Sequence, residues 1–240
     1  MTEETLDEEI KDYAGKLRDN DRITVMDSGT GEIIYDPPSH TKIKELMSGL
    51  INFANEEEPF IHPVIKASVI HFYFSYVHPF MDGNGRTARA LFYYYMIKNG
   101  YPSMEFVSIS HLIHENRNRY YKVFEDVEKY DDDLTYFLNF SIEITYKAFQ
   151  ALQNRTASKL KFALVEERIR EENLPVNKRQ LKVLRNFISG KYNELNVQKV
   201  QKISKVSYET ARIDLNQLVE WGFLEKQKKG KKYHYYLLME

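Results

Sequence analysis

The chain has 240 residues, of which 42% are hydrophobic, with 34 Lys/Arg against 35 Asp/Glu and a formal charge of −1. That apolar share is ordinary for a globular protein, so a real core is expected, and the lack of cysteine excludes a disulfide framework, thiol catalysis and cysteine metal sites. No apolar run approaches the length that spans a bilayer, and the acidic first residues lack the apolar stretch of a signal peptide. The expectation is a soluble, cytoplasmic protein without membrane contact. The near-neutral total hides a split. Residues 178–240 carry 14 Lys/Arg and 6 Asp/Glu, or +8; subtraction from the whole leaves 20 basic and 29 acidic residues in 1–177, or −9. Such asymmetry points to two modules with different partners.

In chain order, residues 1–20 read as a short acidic helix or a frayed end. Ile23–Met26 and Glu32–Tyr35 are β-prone runs around the turn residues Asp27–Gly31, a hairpin signature. Pro37 and Pro38 end it, because proline cannot continue a ladder. Thr41–Phe53 has helical periodicity, with Ile43, Leu46, Met47, Leu50 and Ile51 on one stripe. Pro63–Val77 and Ala88–Ile97 differ in kind: they are apolar on nearly every side, the mark of buried helices. Pro63 suits a first helical turn, and Asn99-Gly100-Tyr101-Pro102 is a stop signal. Further helices are expected over 110–128, 134–153 and 157–173, with a boundary near Leu174–Asn177.

The two buried helices flank a loop crowded with polar groups, and a scaffold that holds such a loop rigidly is where chemistry is expected. His78 stands where the first helix stops and is the natural general base near neutral pH. Asp82 is a hard oxygen ligand suited to a Mg²⁺ that also holds substrate phosphates. Gly83, Asn84 and Gly85 offer backbone N–H groups to phosphate oxygens and open a helix whose positive end favours anions. Arg86 and Arg89, three residues apart, can reach one polyphosphate with charge-assisted hydrogen bonds. Base, metal ligand, anion nest and two cations in so short a span describe a nucleotide-transfer site. His71, on the buried helix, reads as a satisfied core residue.

The run His78-Pro79-Phe80-Met81-Asp82-Gly83-Asn84-Gly85-Arg86-Thr87-Ala88-Arg89 resembles the Fic family signature at every specified position. The hairpin near 23–35 with its Pro37-Pro38 exit is similar to the family's target-binding flap, and Ser110–Phe124, with Asn116-Arg117 and Tyr120-Tyr121, is similar to its downstream helix. The resemblance covers roughly residues 23–150. It implies a mainly α, Fic-type helical bundle and a protein adenylyltransferase that moves AMP from ATP to a Ser, Thr or Tyr hydroxyl, the chain itself included. His78 would deprotonate that hydroxyl and Asp82 would bind Mg²⁺. Gly83, Asn84 and Gly85 would hold the phosphates, with Asn84 stabilising charge on the α-phosphate. Arg86 would hold the β- and γ-phosphates and Arg89 the γ-phosphate. Asn116 and Tyr120 or Tyr121 would line the adenine pocket. The flap 23–35 would pair with an extended target segment. Two alternatives stay open: another nucleotide or phospho-donor, or removal of AMP; and a DNA-binding regulator whose Fic-like domain only binds ligand.

Many members of that family carry an inhibitory segment Ser/Thr-x-x-x-Glu-Gly/Asn. Thr5–Glu9 has the spacing, but Ile10 stands where Gly or Asn is expected. The inhibitory glutamate is therefore expected from a degenerate or separate N-terminal segment, from an antitoxin partner, or not at all. A homodimer also fits the resemblance.

In the basic module, Lys178–Ser189, Val197–Ser204 and a segment from Ser207 to about Glu220 read as helices. Phe223–Lys226 and Tyr233–Leu238 read as strands joined through Lys228–Lys232. Three helices and a basic hairpin resemble a winged helix-turn-helix, whose wing could contact DNA phosphates. The expected organisation is a catalytic domain over 1–155, a helical linker over 156–177, and the winged module over 178–240.

Overall fold

A computed structural model describes residues 13–26, 31 and 33–238. The expected inhibitory spacing at Thr5–Glu9, most of the hairpin turn at 27–31, and residues 1–12 of the expected N-terminal helix lie outside the described residues. Contacts divide the chain into two compact units, residues 1–150 and 151–240. No helix among the described residues is long and apolar enough to cross a membrane.

The first unit is helical. A short antiparallel pair, β1 (Val25–Met26) and β2 (Ile33–Tyr35), precedes α1 (Ile43–Asn55), α2 (Pro63–Val77), α3 (Asn84–Lys98), α4 (Ile109–Glu115) and α5 (Arg117–Lys129). α1 is amphipathic and presents Ile43 and Leu50 to the core. α2 and α3 pack on each other more extensively than any other pair of elements. α2 buries Ala67, Ile70, Phe72, Phe74 and Val77, and α3 buries Ala88, Phe92 and Met96. Each fully buried Ile, Val, Phe or Met side chain among them stabilises the fold by roughly 1.5–3 kcal/mol relative to exposure. His71 is enclosed by the rings of Phe92, Tyr120 and Phe137. Its Nε2 lies 3.3 Å from the Tyr120 hydroxyl. Burial, then the Arg89 charge, pushes its pKa down to about 3, so it is a neutral core acceptor.

Two helix boundaries differ from the sequence expectation. The helix expected over 110–128 is interrupted at Asn116, which ends α4 and begins α5. Its side chain donates to Leu112 O at 2.8 Å, a local hydrogen bond that competes with helix continuation. Conversely, the break expected between 153 and 157 is absent: α6 runs unbroken from Thr135 to Glu171. Asn154 and Thr156 are weak helix formers, yet both lie inside the helix, where each costs only on the order of 0.5 kcal/mol.

The segment expected as a linker takes part in the second core. Val165 is buried there, with Phe162, Ile169, Leu174 and Val176 packed around it. That core also takes side chains from α7 (Lys178–Ile188), α8 (Val197–Ser204) and α9 (Tyr208–Glu220), and from the hairpin β3 (Leu224–Lys229) and β4 (Lys232–Leu237). Asn177 starts α7 with a reciprocal capping box to Gln180, and Ser207 caps α9 by accepting from Thr210 N–H. Lys229 pairs with Lys232, so the hairpin turn is tighter than the sequence suggested. Gly230 supplies the positive φ of 62° that a two-residue turn needs.

Candidate active site

The site is built where α2 stops and α3 starts. His78 ends α2 in the left-handed region, with φ 48° and ψ 57°. For a residue with a side chain this conformation costs about 1–2 kcal/mol, and it persists only where the surroundings over-determine it. Here the His78 N–H still closes the last helical turn on Phe74 O at 3.1 Å. The imidazole Nδ1 lies 3.1 Å from Ser75 O. A carbonyl can only accept, so Nδ1 carries the proton and Nε2 keeps its lone pair. Burial lowers the His78 pKa, opposed by the Ser75 contact; the Arg18 charge lowers it further, and Asp82 raises it. The residue is therefore a neutral base at physiological pH.

The rest of the loop is shaped from within. Gly83 caps α3 with φ 78°, a conformation that favours glycine. A Cβ on Gly85 would lie 3.2 Å from the Arg89 guanidinium, so a side chain there would crowd it. Asn84 is 1% exposed. Its amide accepts from Phe80 N–H at 2.9 Å and donates to Phe80 O at 2.7 Å. The side chain thus cross-ties the loop, and what Asn84 can offer a phosphate is its main-chain N–H at the helix tip. Asp82 accepts from Gly83 N–H and pairs with Arg86 at 2.9 Å.

A cavity of about 180 Å³ opens beside this loop, lined by His78, Gly85, Arg89, Tyr120, Tyr121 and the flap residue Tyr35, among others. Tyr35 is held by a hydrogen bond from its hydroxyl to Tyr76 O at 2.9 Å. Of the residues expected to contact nucleotide, Gly85, Arg89, Tyr120 and Tyr121 thus share one cavity with His78. Asn116 does not line it; its amide is spent on Leu112 at the α4–α5 junction. The fixed pattern of the signature says nothing about Asn116, whose helical neighbours decide its direction.

Among the described residues no group of three or more His, Cys, Asp or Glu could hold a metal. The donor set near the loop is the single carboxylate of Asp82. That fits a Mg²⁺ bound through one protein oxygen with phosphates and water completing its shell, and does not fit an all-protein cage.

One residue near the site gave no sequence signal. Arg18, in a charged stretch read as an acidic helix or frayed end, is 3% exposed. Its guanidinium donates to His78 O at 2.9 Å, and its main-chain N–H donates to Pro79 O at 2.9 Å. Nothing in an arginine among Lys16, Asp19, Asp21 and Arg22 marks it as buried.

In the second unit, a cavity of about 190 Å³ lies between the start of α8, α9 and the hairpin. Asn196, Gln198, Tyr208, Arg212, Lys226 and Lys231 are among its lining residues.

A left-handed histidine thus stands beside a glycine-capped helix tip and shares a cavity with residues of a short hairpin. Residues 2–96 match the family model described as the Fic/DOC family. The matched residues lie in the first unit and contain the whole run from His78 to Arg89. Protein adenylyltransferase Fic of Culex quinquefasciatus is 31% identical over 110 residues, 45% of this chain and 20% of that protein. Protein adenylyltransferase Fic of Nematostella vectensis is 28% identical over 136 residues, 56% of this chain and 29% of that protein. The chain thus spans about a fifth of the length of the first of these relatives. A solved Fic family protein from Desulfovibrio desulfuricans G20 aligns with 85% of this chain and 57% of its own at 21% identity, with a TM-score of 0.42.

Proposed function

We propose that the chain is a protein adenylyltransferase that transfers AMP from ATP to a Ser, Thr or Tyr hydroxyl. The observation that carries this reading is the His78 imidazole: its Nδ1–H is committed to Ser75 O, and it lines a cavity shared with Gly85 and Arg89. The relatives named as adenylyltransferases support the choice of AMP as the group moved.

In this reaction the hydroxyl oxygen of the target attacks the α-phosphorus. The bond from that phosphorus to the bridging oxygen breaks, pyrophosphate leaves, and the hydroxyl proton passes to His78 Nε2. The N–H groups at the tip of α3, with Arg86 and Arg89, hold the polyphosphate and stabilise its developing charge. Mg²⁺, when bound through Asp82, neutralises phosphate charge. Tyr120 and Tyr121 supply the apolar wall for adenine. Met26 and Ile33, exposed on the flap strands, offer an edge and apolar contacts to an extended target segment.

The test incubates the protein with α-labelled ATP, Mg²⁺ and candidate targets, itself included. Label is expected on protein, lost in His78→Ala and Arg86→Ala. Label that appears only from another donor, or release of AMP from a modified protein, would replace this reading with the corresponding one.

For residues 178–240 we propose a winged helix-turn-helix that contacts the phosphates of duplex DNA. The basic groove with Arg212, Lys226 and Lys231 supports this, together with the module's +8 charge. Binding of the full chain to duplex DNA should weaken with salt, and Lys231→Glu should reduce the log–log salt slope by about 1 or more. Absence of binding at low salt would dismiss it.

A further inference from the structure

Arg18 spends its whole donor set on main chain and one carboxylate. Nε donates to His78 O at 2.9 Å. Nη1 donates to Asn20 O at 3.0 Å and to Asp21 Oδ1 at 2.9 Å. Nη2 donates to Pro38 O and, at 3.5 Å, to Val77 O. A guanidinium has five N–H groups in a fixed planar fork, and here each has an acceptor. Val77 O and His78 O lie at the C-terminus of α2, where helical carbonyls lack partners, and a cation placed there is favoured. Pro38 is the last residue of the flap's Pro-Pro exit. Asp21 extends the link, accepting from Ser39 Oγ at 2.9 Å and His40 N–H at 2.6 Å. One side chain thus joins the end of α2, the histidine's own carbonyl and the base of the flap.

We propose that Arg18 is a positioning residue for His78: its guanidinium, bonded at once to Val77 O, His78 O and Pro38 O, locks the left-handed turn that aims the imidazole and couples that turn to the flap exit. This rests on reading His78 as the base of AMP transfer. The hydrogen bonds of Arg18 go to the end of α2, Asn20, Asp21 and the flap exit, and none of these acceptors belongs to the glycine turn; it acts on the reacting geometry and leaves nucleotide binding alone. A merely structural arginine would change the melting temperature and leave the folded enzyme's turnover and the state of His78 as they are.

The test compares the full chain with Arg18→Lys and Asp21→Asn. Two quantities are read: kcat and KM for Mg-ATP in transfer of labelled AMP, and the imidazole ¹⁵N shifts of His78 without nucleotide. Lysine keeps the charge but cannot span the same acceptors. Arg18→Lys is expected to lower kcat about 100-fold while KM for Mg-ATP stays within about 2-fold, since displacement of a catalytic group by about 1 Å costs that much. The His78 nitrogens should move from the Nδ1–H tautomer toward a mixture. Asp21 is half exposed, so Asp21→Asn should fold and show both changes at smaller size, about 5-fold in kcat. A folded Arg18→Lys with wild-type kcat and wild-type His78 shifts overturns the proposal. Should Arg18→Lys not fold, Asp21→Asn decides, and wild-type values in both readouts overturn it. If the wild-type chain transfers no AMP, the reading of the site fails, and the ¹⁵N shifts alone still decide the role of Arg18.

Discussion

The amide of Asn84 grips the main chain of Phe80 from both sides, donating to its carbonyl at 2.7 Å and accepting from its N–H at 2.9 Å. This pair of bonds closes the turn between the two buried helices. Asn84→Ala leaves a buried N–H and a carbonyl without partners, at about 1–3 kcal/mol each. Chemical unfolding should show that loss, and AMP transfer should fall more than about 10-fold because the turn opens. Asn84→Asp should be nearly as damaging, since a carboxylate cannot donate to Phe80 O. Retained activity in Asn84→Ala would show that the turn keeps its working shape without these two bonds.

The pH dependence of transfer should follow His78. Burial holds its pKa below the ordinary histidine value near 6.5. The base must be unprotonated, so activity is lost as pH falls through the folded pKa and is level across neutrality. A kcat/KM profile with its acidic limb below about pH 6.5 is expected. A limb above that value would mean that Asp82 and the Ser75 contact outweigh burial.

Arg89 and Arg86 should differ on substitution. Arg89 donates no hydrogen bond among the described residues, whereas Arg86 pairs with Asp82 at 2.9 Å. Arg89→Gln should therefore raise KM for Mg-ATP about 10- to 100-fold, the worth of one or two charge-assisted bonds, with no change in melting temperature. Arg86→Ala would remove the proposed phosphate contact and also the Arg86–Asp82 pair. Calorimetric titration with Mg-ATP separates the two.

In the second unit, buried Asp214 accepts from Arg179 Nε at 2.8 Å, Arg179 Nη2 at 3.1 Å and Asn177 Nδ2 at 3.0 Å. It joins α9 to the capped start of α7. Asp214→Ala should destabilise this unit by about 2–3 kcal/mol, below the full cost of breaking a buried pair because Arg179 is partly exposed. Trp221, the chain's only tryptophan, lies in this unit, so its fluorescence in a urea titration reports the change directly.

Local chemistry decided much of this protein before any folding. All-round apolar composition marked α2, whose bounds match the sequence expectation residue for residue, because a helix that must be buried has no polar face to spare. The glycine-rich turn between the two helices likewise grouped His78, Gly85 and Arg89, which line one cavity, because the signature fixes residue type and spacing together. Tertiary structure alone decided the rest. Asn116 and Tyr120 stand four residues apart in one pattern, yet only Tyr120 reaches the cavity, since direction around a helix depends on what packs outside it. The run 156–177 reads in the sequence as a helical linker; only the folded chain shows Val165 within it buried in the second core. Arg18 was invisible because its acceptors, the Asp21 carboxylate apart, are main-chain carbonyls. Every residue carries one, so no residue type in the sequence records which of them a distant guanidinium will meet.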